Sequence, residues 1–161
     1  MIAVIFVLSL VAAIAIPNMA ASIEGQRRRD FMTGLPRLVV QAREQAISLG
    51  SPVELRFNGS SFVIERPAAE GEEPQTVGAV RVAQGVSVEK TFLSSEEVSD
   101  EDWVVQFYPD GTCDSATIEL SEGNDSRAFV INPRQGKGRY MGSDEAQQLG
   151  DDRWIAGDEL G

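Results

Sequence analysis

A chain of 161 residues is long enough for one domain with a modest core. With no histidine and one cysteine, Cys113, it cannot form an internal disulfide, a Cys/His zinc site or a nucleophilic system that depends on a histidine base. Charge is split along the chain: residues 1–50 carry a balance of +2 and residues 51–161 a balance of −13, so the body repels phosphate backbones and generic nucleic-acid binding is disfavoured.

The chain opens with "MIAVIFVLSLVAAIAIP", in which Ser9 is the one polar side chain and no residue is charged. As a helix, residues 1–16 extend about 24 Å at ~1.5 Å per residue, short of the ~30 Å hydrocarbon core of a bilayer. Three uses of such a run compete. A secretory signal peptide wants basic residues ahead of the run and a small-residue cleavage site after it; the first is missing, and Ala13-x-Ala15 falls inside the run. A core helix apolar on every face needs a larger protein around it. A membrane anchor needs about five more residues ahead of Met1, which would bring the helix to roughly 31 Å.

The end of this run, "VAAIAIPN", resembles the N-terminal segment of type IV pilins and type II secretion pseudopilins. In that family the segment follows a cleaved glycine and begins with a methylated phenylalanine, three mostly apolar residues and a glutamate. Placing Pro17 on the family's proline leaves room for five residues before Met1, the same number the span length asks for. The resemblance therefore implies a start upstream of Met1, a precursor cut by prepilin peptidase, and a single-pass anchor in the bacterial inner membrane. It assigns Ile2, Val4, Ile5, Phe6, Leu8, Val11, Ile14 and Ile16 to membrane and filament-core packing, with Pro17 marking a bend. Arg27, Arg28 and Arg29 follow the run, where the positive-inside rule would hold them in the cytoplasm. The family's orientation instead exports that side. The three arginines suit anionic headgroups, acidic neighbours in a filament, or a solvated helix face.

Beyond Pro17 the helical period returns. Phe31, Leu35, Leu38, Ala42, Ala46 and Leu49 step along one face, and Gly50-Ser51-Pro52 stops the helix. An amphipathic stem over 18–50 needs a sheet to cover its apolar side, and Phe31, Leu35, Leu38, Ala42 and Leu49 are the residues expected to pack there. Bends are expected at Pro17 and at Gly34/Pro36.

From Pro52 onward the pattern is that of strands. "VELRF" and "FVIER" flank a turn; "PAAEGEEPQT" is a polar loop; "VGAVRVA" and "VSVEKTF" follow. "LSSEEVSDED" has the composition of an acidic loop, "WVVQFY" is a strand closed by "PDGT", and "ATIEL" and "AFVIN" flank "SEGNDS" before "RYM". The fold class is α+β: one long N-terminal helix packed on an antiparallel β domain of seven or eight strands over 51–142. An acidic, glycine-containing tail over 143–161 follows, with Trp154-Ile155 as its apolar element.

The body motifs "AREQAISLG", "FYPDGT" and "PRQGKGRYM" resemble the minor pseudopilin branch typified by GspH and FimT. The resemblance implies assembly with other major and minor pseudopilins or pilins into a type II secretion pseudopilus or a type IV pilus, with the β domain in the periplasm. It implies no catalysis and no cofactor, and the residues themselves single out no catalytic, cofactor-binding or metal-ligating set.

Several stretches carry a sharper alternative. Asp110 and Gly111, with Asp114, would make a hard-cation loop, but calcium-loop spacing is absent and a β-turn is favoured. Cys113 is either a reactive thiol or an ordinary strand-edge residue, the latter favoured. Arg134, Lys137 and Arg139 surround flexible glycines and suit phosphate contacts, as in DNA-uptake pilins of this branch. The acidic tail beside them offsets much of that field. An exported enzyme behind a signal peptide is the remaining alternative.

Overall fold

The computed structural model describes residues 2–67, 73–142 and 145, and for 2–22 the backbone alone. One helix, α1 (Ile2–Leu49), precedes nine strands: β1 (Val53–Phe57), β2 (Ser61–Arg66), β3 (Gln75–Arg81), β4 (Val86–Leu93), β5 (Glu96–Val98), β6 (Val104–Phe107), β7 (Ala116–Glu122), β8 (Asp125–Asn132) and β9 (Lys137–Gly142). The strands form a four-stranded sheet in the order β3-β2-β1-β6 and a five-stranded sheet in the order β5-β4-β7-β8-β9. Every pairing between them is antiparallel.

Neither proline ends α1. Around Pro36 the helix is held by burial, because Leu35, Leu38 and Val39 are all in the core. Such packing outweighs the roughly 3 kcal/mol an interior proline costs. The helix stops at Gly50, whose φ of 63° supplies the left-handed residue that closes a helix C-terminus; its N–H donates to the carbonyl of Ile47 at 3.3 Å.

The face of α1 turned to the sheets is Phe31, Leu35, Leu38, Val39, Ala42 and Ala46. Leu49, expected among them, is instead 41% exposed. It has the right angular position but lies in the last turn, where the chain reverses at Gly50 and no described residue buries it. Val39, which the expected face did not include, is fully buried.

Between helix and sheets the core is aromatic at its centre. Phe62 stacks on Phe57 at 4.5 Å and on Phe31 at 6.3 Å, and meets Trp103 edge-on at 5.7 Å. Trp103 is fully buried, and its indole N–H donates to the Phe92 carbonyl at 3.2 Å, which ties the two sheets together. Alternation in β1 buries Val53, Leu55 and Phe57 while Glu54 and Arg56 face out. On that outer face Glu54 lies directly across from Glu65, and Arg56 bridges the two carboxylates at 2.7 and 3.3 Å.

The ninth strand, β5, falls within the stretch expected to be an acidic loop. Ser94 and Ser95 take φ values of 49° and 72° and turn the chain in two residues, so that Leu93 pairs with Glu96. Glycine or asparagine ordinarily marks such a turn, and neither is present here. "SEGNDS" likewise contributes residues to β7 and β8, which pair as far as Glu122 with Asp125 around a two-residue connection. The acidic tail over 143–161, apart from residue 145, and part of the polar loop over 67–76 lie outside the described residues.

Candidate functional site: the stem helix and its seat

The candidate element is α1, which packs against the β domain. Its described side chains engage both sheets between Arg28 and Ala46. At the N-terminal end, Arg28 Nη1 donates to Glu122 Oε1 at 3.1 Å, and the guanidinium lies over Gly85. A Cβ at Gly85 would come within 2.7 Å of Arg28 Nη2. The middle arginine of the "RRR" run is therefore committed to the end of the β7–β8 hairpin, whereas Arg27 and Arg29 are exposed.

In the middle, α1 lies close to β3 at two glycines. A Cβ at Gly34 would lie 3.3 and 3.4 Å from the methyls of Val80, and one at Gly78 would meet the amide of Gln41. Gln41 Nε2 also donates to the Val77 carbonyl at 3.2 Å. That carbonyl lies in the interval where the β2–β3 register shifts. One turn further, Arg66 Nη2 donates to Gln45 Oε1 at 3.4 Å.

At the C-terminal end, three motifs distant in the chain converge. Arg43, from "AREQAISLG", donates through Nε to the Gly111 carbonyl of "FYPDGT" at 3.1 Å. Its aliphatic stem lies over Gly136 of "PRQGKGRYM". Each turn is internally fixed. Asp110 Oδ1 accepts from the Thr112 N–H at 2.9 Å and from its hydroxyl at 2.6 Å, and Gly111 has a φ of 85°. The Thr112 hydroxyl, then the Thr112 N–H, holds the Asp110 carboxyl below the usual range. In the second turn Asn132 Oδ1 accepts from the N–H groups of Arg134 at 2.9 Å and Gln135 at 3.2 Å. The Cys113 N–H donates to the Pro133 carbonyl at 2.9 Å and joins the turns.

This geometry settles the roles of the acidic residues in "YPDGTCD". Asp114 accepts from the Gln106 N–H through Oδ2 at 3.0 Å and from the Tyr108 hydroxyl through Oδ1 at 3.2 Å. The nearby Asp114 carboxylate, chiefly by its charge, raises the Tyr108 phenol above its ordinary value. Asp110 and Asp114 are thus the internal fastenings of a turn, and among the described residues no cluster of three ligating side chains could hold a metal ion. Cys113 is buried; its thiol lies 3.5 Å from the Asn132 carbonyl, and burial pushes its pKa up to about 12.

Arg134, Lys137 and Arg139 are exposed on the β8–β9 turn and on β9, with Lys137 opposite Asn132 and Arg139 opposite Val130. Ile2, Val4, Ile5, Phe6, Leu8, Val11, Ile14, Ile16 and Pro17 belong to the part of α1 whose side chains lie outside the description. Among the described residues no helix is long and apolar enough to cross a membrane. Arg43 was not among the candidate residues, because an arginine on a helix facing a sheet has no period or motif logic of its own; its role depends on two carbonyl-rich turns meeting it in space.

Solved structures with the same arrangement are minor pilins and pseudopilins. The minor pilin FimU of Pseudomonas aeruginosa superposes with a TM-score of 0.54 in one crystal form, at 14% identity, covering 75% of this chain and 92% of that one. In a second crystal form the TM-score is 0.51, again at 14% identity, over 72% and 94% of the two chains. The minor pseudopilin EpsH of the Vibrio cholerae type 2 secretion system gives 0.54 at 11% identity, over 72% and 97%. At those identities the likeness is one of fold. No curated protein matches the chain.

A long N-terminal helix seated on two antiparallel sheets, with these structural counterparts, defines a pilin-like fold. The model of the family Type II transport protein GspH matches residues 35–136, more than half of the chain. The chain belongs to the GspH family.

Proposed function

We propose that the protein is a membrane-anchored minor pseudopilin or pilin, whose apolar N-terminal helix rests in the bacterial inner membrane and then packs among the helices of other subunits in a filament. The observation that carries this reading is the continuity of α1. Its 48 residues extend about 72 Å at ~1.5 Å per residue. Among the described residues, the first hydrogen bond from an α1 side chain to the sheets is made by Arg28. The preceding segment holds the run with one polar residue and no charge. Apolar surface that faces lipid can equally be buried against like helices, so one segment serves both states.

On this reading residues 1–17 are the membrane part, 18–50 the stem, and 51–142 the periplasmic domain. Prepilin peptidase acts on the full-length precursor, and the protein works by assembly rather than by catalysis. The test is fractionation of cells that express the full chain. Sedimentation with inner membranes and resistance to alkaline carbonate support the anchor, while the chain lacking residues 1–22 should be released soluble. Recovery of the full chain in the periplasm with the apolar run removed would instead indicate an exported protein behind a signal peptide.

A second reading, DNA capture, has one observation in its favour: the exposure of Arg134, Lys137 and Arg139 together. The −13 balance of residues 51–161 opposes it. Gel-shift titration separates the two, because phosphate binding by this trio weakens with salt and with each charge removed.

A further inference from the structure

The outer face of the five-stranded sheet holds two apolar side chains for which the interior does not account. In β8, Phe129 and Ile131 belong to the core, so by alternation Ala128 and Val130 point away from it. Neither is part of the interior cluster, yet Ala128 is 0% exposed and Val130 3%. Ala128 lies between Glu119 and Met141, and Val130 between Thr117 and Arg139. None of those four flanking residues is itself buried. On the same face, Lys137 and Arg139 project from β9, exposed and without an ion-pair partner among the described residues.

We propose that the C-terminal segment of the same chain, residues 143–161, folds back over this face and covers Ala128 and Val130. The segment leaves β9 at Gly142, opposite Arg127 and one strand away from the two apolar residues. Glu145 is helical. A helix continued from there sets Ala146 and Leu149 on one side, about 4.5 Å apart along its axis. Ala128 and Val130 are roughly 6.6 Å apart along their strand. A helix returning toward the β8–β9 turn lays Leu149 over Val130, and beyond Gly150 it brings Asp151 and Asp152 to Arg139 and Lys137. Those two cations offer the acidic segment a seat on a domain that otherwise repels it. Attachment at Gly142 favours the chain's own segment over that of a second copy, because the connection is short. Two of the three basic residues suited to phosphate contacts are then neutralised from within, and a partner for this face has to displace the segment first.

Thiol labelling of the full chain tests this, with buried Cys113 as the control for folding. In the V130C variant residue 130 should resist maleimide. Ending the chain at Gly142 should speed its labelling at least about tenfold while Cys113 stays protected. The charge reversal D151K/D152K should speed it too, and K137D/R139D added to that variant should restore protection. Under mild oxidation V130C/L149C should form a disulfide within one chain, whereas V130C/Q147C, with its second thiol turned away, should not. Equal protection of residue 130 with and without 143–161 would show that the sheet's own side chains bury it, and would overturn the proposal. So would a 130–149 disulfide formed only between copies, which assigns the face to a neighbour's segment. If the shortened chain exposes Cys113 as well, the full-length pairs decide, and absence of the 130–149 link overturns the docking.

Discussion

Arg43 and Gly136 are in contact because residue 136 has no side chain. A Cβ there would lie 2.6 Å from Arg43 Cδ and 3.0 Å from the Gly111 carbonyl oxygen, the acceptor that Arg43 itself uses. The φ of 55° at Gly136 adds a second reason for glycine. Gly136→Ala is therefore expected to displace the arginine from its acceptor and to strain the turn together, lowering stability by about 2 kcal/mol. Thermal denaturation of the domain from residue 23 onward checks this. In the Arg43→Ala background the steric part of the loss should shrink, since the opposing methylene is gone.

The β4–β5 turn is strained in the native protein. Ser94 and Ser95 both hold positive φ, a conformation that costs a residue with a Cβ roughly 1 kcal/mol. Replacing the pair by Asn-Gly supplies the residues this turn geometry prefers. The double substitution S94N/S95G should raise stability by about 1 kcal/mol, measured as a higher denaturation midpoint with an unchanged denaturant slope.

Tyr140 packs its ring against Phe129 at 4.9 Å, but its buried hydroxyl has no hydrogen-bond partner among the described residues. Burial also raises the phenol's pKa well above its ordinary value. Tyr140→Phe retains the ring contact and removes an unsatisfied polar atom, so stability should rise by roughly 1 kcal/mol. An equal loss on the same substitution would show that the hydroxyl has a partner after all.

The Cys113 thiol gives a pH signature. Its value is raised from 9.0 to about 12 in the folded chain, so the folded state retains a proton that the unfolded state releases above pH 9. The stabilisation is complete below that value and declines as pH rises from about 9 toward 12. Cys113→Ala should flatten this part of the alkaline stability profile, although the tyrosines Tyr108 and Tyr140, whose values are also raised, continue to contribute. In the native protein at pH 8 the thiol should react with maleimides only at the rate of unfolding.

The sequence was most legible where one rule acted alone. The helix face from Phe31 to Ala42 follows directly from a 3.6-residue period, and the seven or eight expected strands follow from alternation bounded by turn residues. The misses have a common cause, since each depends on neighbours in space. Leu49 has the core-facing angle but lies past the covered part of the helix. β5 exists because two serines accept a conformation that usually announces itself with glycine or asparagine. Arg43 gains its role only when turns 68 or more positions away are brought to it. The motifs that suggested the family were visible as words; their meeting at one guanidinium was not.

Asp114 has one further consequence. The outer edge of β6 would otherwise present the backbone of Gln106 to solvent, the kind of template that recruits a stray strand from another chain. Here the Gln106 N–H is taken by the Asp114 carboxylate and its carbonyl by the Asp114 N–H, each at 3.0 Å. From Gln106 to Tyr108 that border is closed by the returning 112–114 backbone, and the Asp114 carboxylate takes the Gln106 N–H that this backbone leaves over. Asp114→Asn would keep an acceptor for that amide, whereas Asp114→Ala would leave it open to a stray strand.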